Sequence, residues 1–65
     1  MFENLYARMR AKHISQVELA RIMDISPKSL YNKLNGKTDF NQREMKIIQV
    51  TLGGSLDWLF DQVKQ

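Results

Sequence analysis

Apolar residues recur three and four positions apart along most of the chain, and strict alternation of β-branched with polar residues is missing. This spacing predicts amphipathic helices rather than strands. Proline and glycine fall only between the periodic segments, where helices are expected to begin and end. The pattern therefore predicts an all-α chain of five short helices.

Capping residues predict where the helices begin. Ser15 with Glu18, and Asn41 with Glu44, have the spacing of a capping box. Ser26 followed by proline predicts another helix start, because the serine caps free amides and proline needs no hydrogen-bond partner at the first helical position. The predicted helices are residues 2–12, 15–23, 27–35, 41–52 and 56–62, with Lys64 and Gln65 expected to fray.

The apolar faces of these helices predict the core. Its expected members are Phe2, Leu5, Met9, Leu19, Ala20, Met23, Ile25, Leu30, Leu34, Met45, Ile48, Leu52, Trp58, Leu59 and Phe60. We expect Trp58 to pack in the core rather than to serve as a ligand platform, because a chain of 65 residues has few large side chains to bury.

Length and composition favour one domain spanning residues 1–65, with a stability of roughly 3 to 5 kcal/mol. The chain has no cysteine and no long apolar run, which argues against a disulfide scaffold, a secretory leader and a membrane span. We expect a cytoplasmic protein without a membrane partner.

The lone His13 is expected to be an exposed loop residue, since no cysteine or second histidine is present to complete a metal site.

Positive charge is concentrated in the first part of the chain. The net charge is +3, but residues 1–37 have seven bases and three acids, giving +4, while residues 38–65 give −1. An asymmetry of this kind predicts a polyanionic partner for the first 37 residues.

No cofactor and no small-molecule substrate are expected, because the chain lacks a nucleophile–base pair, a glycine-rich phosphate loop and a spaced carboxylate dyad. We therefore do not expect an enzyme.

Residues 16–35 have the organisation of a helix-turn-helix, two short helices joined by three or four residues. Ala20 is small enough to let the two helices cross closely. The second helix then presents polar residues outward, and no acid occurs between residues 27 and 38. These outward residues are Lys28, Ser29, Tyr31, Asn32 and Asn35.

Four segments resemble the lambda-repressor-like, Cro/Xre-type family of bacterial and phage regulators. They are Ser-Gln-Val-Glu-Leu-Ala at 15–20, Asp-Ile-Ser at 24–26, Asn-Gly-Lys at 35–37 and Ser-Leu-Asp-Trp-Leu at 55–59. The resemblance covers residues 4–60 and implies a compact five-helix DNA-binding domain. The small size, with nothing appended, is similar to a phage or prophage Cro-type regulator acting in the bacterial cytoplasm or nucleoid.

The resemblance implies roles for individual residues. Lys28 and Asn32 match positions that read base edges, flanked by Ser29 and Tyr31. Lysine suits the acceptors of guanine, and asparagine suits adenine. The residues implied in contacts with the DNA backbone are Gln16, Asn35, Lys37 and Arg10, the last as part of a Met9-Arg10 pair.

Each role has a plainer alternative. Lys28 and Lys33 could simply solubilise a helix, and Asn35 could serve only to end it. The chain also departs from the family at three positions: Asp24 stands where glycine is favoured, Pro27 where some members have a base-reading glutamine, and Lys33 where an apolar residue is common.

Two-fold symmetry is expected because a monomer this small makes few contacts, whereas a dimer reads two half-sites about 34 Å apart. Ile47, Val50 and Phe60 form the candidate dimer face. They could equally pack under the first helix or the C-terminal tail.

The leading interpretation is a sequence-specific, double-stranded DNA-binding transcriptional repressor of a phage or prophage switch, with repression favoured because no surplus segment is present to recruit another machine. The alternative is a protein-binding module of the same fold, an antirepressor or an antitoxin-like partner.

Overall fold

A computed structural model describes residues 2–61 of the chain. Over this range the backbone forms five α-helices and no strand, so the all-α prediction is confirmed. The helices are α1 (Glu3–Ala11), α2 (Gln16–Met23), α3 (Pro27–Leu34), α4 (Gln42–Leu52) and α5 (Leu56–Leu59). Among residues 2–61, no helix is long and apolar enough to span a bilayer.

Side-chain caps start four of the helices, and both predicted capping boxes are confirmed. The Glu18 N–H donates to the Ser15 hydroxyl at 3.1 Å, and the Ser15 N–H donates to the Glu18 carboxylate at 3.2 Å. Asn41 and Glu44 exchange the corresponding bonds at 2.8 and 3.0 Å. Such bonds satisfy amides that the first turn leaves free.

Three helices end in the same Schellman motif, in which a left-handed residue turns the chain away from the helix axis. The left-handed residues are His13 (φ 57°), Asp24 (φ 59°) and Gly36 (φ 82°). In each case the N–H of the next residue bonds a carbonyl five positions back. These bonds run from Ile14 to Met9 (2.9 Å), from Ile25 to Ala20 (3.0 Å) and from Lys37 to Asn32 (2.9 Å).

The core is one cluster of ten apolar side chains, none more than 4% exposed. They are Leu5, Met9, Leu19, Ala20, Met23, Leu30, Leu34, Ile48, Leu52 and Leu59. All ten belong to the predicted core, whereas Phe2, Ile25, Met45 and Phe60 are only half-buried. α2 packs against α3 and α4, and α5 packs against α1 and α4.

Three phenylalanines join distant parts of the chain beside this core. The rings of Phe2, Phe40 and Phe60 meet edge to face, with centroids 5.2 to 5.8 Å apart. The Phe2 N–H also donates to the Leu34 carbonyl at 3.0 Å, which ties the start of the chain to the end of α3.

The prediction that Trp58 packs in the core is wrong, because this side chain is 45% exposed. α5 is one turn long and directs Leu59, which is fully buried, toward the interior. The neighbouring tryptophan therefore points to a different side of the helix.

Ser15 and Asn41 are N-caps that precede α2 and α4, and the limits of three other predicted helices also differ from the structure. α1 is one residue shorter at each end than predicted, and α3 ends at Leu34 with Asn35 as its C-cap. α5 ends at Leu59, and the next residue, Phe60, is its C-cap and is no longer helical, with φ −105°. The predictions for Gln62, Lys64 and Gln65 lie outside the described residues.

Candidate nucleic-acid interface

The turn between α2 and α3 consists of Asp24, Ile25 and Ser26. Asp24 takes the left-handed conformation, and the Ile25 N–H closes the turn on the Ala20 carbonyl. Ala20 is 1% exposed, and α2 packs against α3. This turn fixes the angle at which α3 leaves α2.

α3 begins with a capped and proline-led turn. The Ser29 N–H donates to the Ser26 hydroxyl at 3.1 Å, and the two serine hydroxyls lie 2.9 Å apart. Pro27 occupies the first helical position, where its missing N–H leaves no gap in the bonding. Ser29 is exposed as predicted, although its hydroxyl is shared with the cap.

The two faces of α3 are chemically opposite. Leu30 and Leu34 are 0% exposed and face the core. Lys28 and Asn32 each lie two residues from Leu30, about 200° around the helix, and therefore project away from the core. Lys28 is exposed and Asn32 is half-buried.

The polar groups on the outer face of α3 are free to bind a partner. Lys28, Tyr31 and Asn32 make no side-chain hydrogen bond or ion pair within residues 2–61. Tyr31 is 51% exposed. Together these side chains offer an ammonium, a phenol and an amide, which are the donor and acceptor types that read base edges or contact phosphates.

Two of the residues predicted to contact the DNA backbone, Asn35 and Lys37, lie at the end of α3 and just beyond it. The Asn35 side-chain amide donates to the Tyr31 carbonyl at 2.9 Å, so this residue does help to end the helix. The Asn35 side-chain oxygen makes no hydrogen bond within residues 2–61. Lys37 follows the left-handed Gly36 and is exposed.

The remaining two candidates for backbone contacts lie on other helices. Gln16 is the first residue of α2 and is half-buried, while Arg10 is exposed near the end of α1. No hydrogen bond or ion pair links either side chain to α3 within the described range. Neither side chain is therefore joined to α3 by a polar interaction within these residues.

The candidate dimer face is divided by the structure. Val50 is 76% exposed, whereas Ile47 and Phe60 are half-buried and pack against the core. Leu56 and Trp58 add exposed apolar surface at 37% and 45%. Val50 is therefore the candidate that remains available to a partner.

Two polar interactions were missed by sequence reasoning. Lys33 is only 17% exposed, and its Nζ lies 3.1 Å from the Glu44 carboxylate and donates to the Asp39 carbonyl at 2.8 Å. Arg8 donates twice to the Leu52 carbonyl, at 2.7 and 3.2 Å, and so satisfies the end of α4. Lys33 stands where the family commonly has an apolar residue, and this could have indicated that the lysine is partly buried and needs a partner. Nothing in the local sequence indicated the role of Arg8.

Comparison with known proteins places this geometry in a family. The model of a helix-turn-helix family matches residues 5–59, nearly the whole chain. The chain belongs to the lambda-repressor-like helix-turn-helix family. Its members are DNA-binding transcription regulators, and the domain is accordingly a DNA-binding regulatory domain. No curated protein and no solved structure matches the chain at a significant level.

The three departures from the lambda-repressor-like pattern are accommodated locally. Asp24 adopts the left-handed conformation that glycine would take, and Pro27 fits the first turn of α3. Lys33 replaces apolar packing with an ion pair to Glu44, which is itself only 6% exposed. The helix-turn-helix geometry is thus retained with different side chains.

Proposed function

We propose that this domain is a sequence-specific, double-stranded DNA-binding regulator that reads the major groove with α3. The observation that carries the proposal is the outer face of α3, where Lys28 and Asn32 lie opposite the buried leucines. The major groove is about 12 Å wide and admits one helix. In this arrangement Lys28 would contact guanine and Asn32 adenine, with Ser29 and Tyr31 beside them.

Contacts with phosphates would set the register of α3 on the duplex. Lys37 lies exposed just beyond α3, and Gln16 begins α2, where the free amides of a helix N-terminus favour an anion. Asn35 and Arg10 complete the proposed set. Such contacts orient the protein but carry no sequence information directly.

We infer further that the domain acts as a Cro-type repressor of a phage or prophage switch, binding a two-fold operator as a homodimer. Occupying an operator that overlaps a promoter is sufficient for repression. The exposed Val50 is the proposed centre of the dimer contact, with Ile47 and Phe60 at its edge. A divergent regulator gene separated by short inverted repeats would support the switch.

The experiment is selection of bound sequences from a randomised duplex pool, followed by titration of the selected duplex by fluorescence anisotropy at several salt concentrations. We expect enrichment of a sequence with two inverted half-sites. We also expect the logarithm of affinity to fall linearly with the logarithm of salt, by about 0.9 for each phosphate contact. No enrichment, together with affinity that ignores salt, would contradict the proposal and favour a protein-binding module.

A further inference from the structure

The segment between α3 and α4, residues 35–41, is anchored at both ends. It includes Asn35 and Lys37, two of the residues proposed to contact the DNA backbone. At the α3 end, the Schellman bonds hold the backbone as far as Lys37. At the α4 end, the Asn41–Glu44 capping box holds Asn41. Residues 38–40 lie between these two anchors.

Lys33 connects the middle of this segment to both helices. Its Nζ donates to the Asp39 carbonyl at 2.8 Å and lies 3.1 Å from a carboxylate oxygen of Glu44. The same oxygen accepts the Asn41 N–H at 3.0 Å. One ammonium group therefore joins the last turn of α3, the centre of the segment and the first turn of α4.

The surroundings of this contact shield it from water more than a surface ion pair is shielded. The Lys33 side chain is 17% exposed and the Glu44 side chain 8%, so water screens the two charges poorly. The Phe40 ring lies 6.0 Å from the lysine Nζ and packs against Phe2 and Phe60. Exposed lysine–carboxylate pairs, by contrast, contribute little.

We propose that the Lys33–Glu44 bridge, with its bond to the Asp39 carbonyl, is a positioning device that holds Lys37 against a DNA phosphate. This inference rests on the proposed DNA-binding function. Lys33 itself need not contact DNA, because its ammonium group is paired with the Glu44 carboxylate. Glu44, although acidic, promotes DNA binding because it fixes the bridge.

The principal test is the double variant Lys33→Met with Glu44→Gln, assayed on the selected duplex by anisotropy across salt. The net charge stays at +3, methionine occupies the apolar stem, and glutamine preserves the capping box. We expect weaker binding and a salt slope reduced by about 0.9, the loss of one phosphate contact. A matched control, Lys46→Met with Asp57→Asn, removes two exposed charges and should leave the slope unchanged.

Combination with Lys37→Ala separates positioning from general stability. In the wild-type background this substitution should lower the slope by about 0.9. In the double variant it should change the slope by less than half as much, because the contact is already lost. Equal effects in the two backgrounds would overturn the proposal, and so would a wild-type slope that does not respond to Lys37→Ala.

A single variant keeps the proposal testable if the double variant does not fold. Glu44→Gln raises the net charge by one, so overall attraction to DNA predicts tighter binding, whereas the bridge predicts weaker binding and a lower slope. Lys33→Arg should retain at least half of the wild-type affinity. Tighter binding by Glu44→Gln would refute the bridge.

The outcome for wild type distinguishes this inference from the proposed function. A wild-type domain without salt-dependent binding would overturn both. Normal wild-type binding that is indifferent to the bridge variants would overturn the bridge alone.

Discussion

Asp24 closes α2 in a left-handed conformation, with φ 59°. The left-handed conformation costs an L-residue roughly 1 to 2 kcal/mol of folding free energy. Glycine avoids this cost but loses about 0.4 to 1 kcal/mol of stability, because its unfolded chain has more conformational entropy. Asp24→Gly should therefore raise the free energy of unfolding by about 0.5 kcal/mol or slightly more, measured by urea denaturation.

Asp24→Ala is the control for that measurement. Alanine removes the carboxylate but retains the Cβ that makes the left-handed region costly, so it should give no gain. Equal stabilisation by alanine and glycine would mean that the carboxylate, and not the backbone conformation, limits stability at this turn.

Arg8 and Arg10 are neighbours on α1 with different environments. Arg8 donates two bonds to the Leu52 carbonyl, while Arg10 is exposed and makes no such bond within the described residues. Arg8→Met should lower the free energy of unfolding by about 1.5 to 3 kcal/mol. Arg10→Met should change it by less than about 0.5 kcal/mol. Similar losses in thermal denaturation would contradict the assigned role of Arg8.

Residue-scale features were predictable from sequence wherever they depend on near neighbours. Ser15 and Asn41 each find their capping partner three residues later, within one helical turn. Arg8, however, meets Leu52 only after the chain has folded back through four helices. No periodicity within a single helix contains that information.

At the scale of the element, α3 depends on two leucines that hold its inner face in the core. Leu30→Ala should cost roughly 2 to 5 kcal/mol, comparable with the whole stability expected of so small a domain. Far-UV circular dichroism in urea should show a largely unfolded chain. Val50→Ala, at a site 76% exposed, should remain within about 0.5 kcal/mol of wild type.

The sequence predicts α2 and α4 closely but overestimates the ends of α1, α3 and α5. Caps and glycine or aspartate stops mark the well-predicted limits. α5 lacks such a stop after Leu59, and Phe60 leaves the helix to meet Phe2 and Phe40. This contact is with residues distant in the sequence, so the end of α5 could not be predicted from its near neighbours.

At the scale of the whole molecule, the exposed Val50 provides a test of the proposed dimer. Val50→Asp should weaken binding to a duplex with two half-sites by about tenfold, equivalent to about 1.4 kcal/mol, because a buried charge would oppose the dimer contact. Binding to a single half-site should not change. Equal losses on the two duplexes would place the effect outside a dimer face.

The concentration of basic residues in the first 37 positions can be read from the sequence. Which of those residues are paired with acids in the folded domain cannot. Lys33 counts as one of the basic residues in the first 37 positions, yet the fold pairs it with Glu44 from the other part. The charge available to DNA is therefore carried by other residues, with Lys28 and Lys37 the candidates near α3. The fold brings Lys33 to Glu44, and this pairing could not be predicted from the order of charges along the chain.

We propose that α3 reads base edges through Lys28 and Asn32. The most direct measurement compares the dissociation constants of the selected duplex and a random duplex for Lys28→Ala, Asn32→Ala and Lys37→Ala. The first two variants should lose about 1 to 3 kcal/mol of discrimination each, while Lys37→Ala should weaken both duplexes alike. Uniform losses for all three variants would contradict base reading by Lys28 and Asn32.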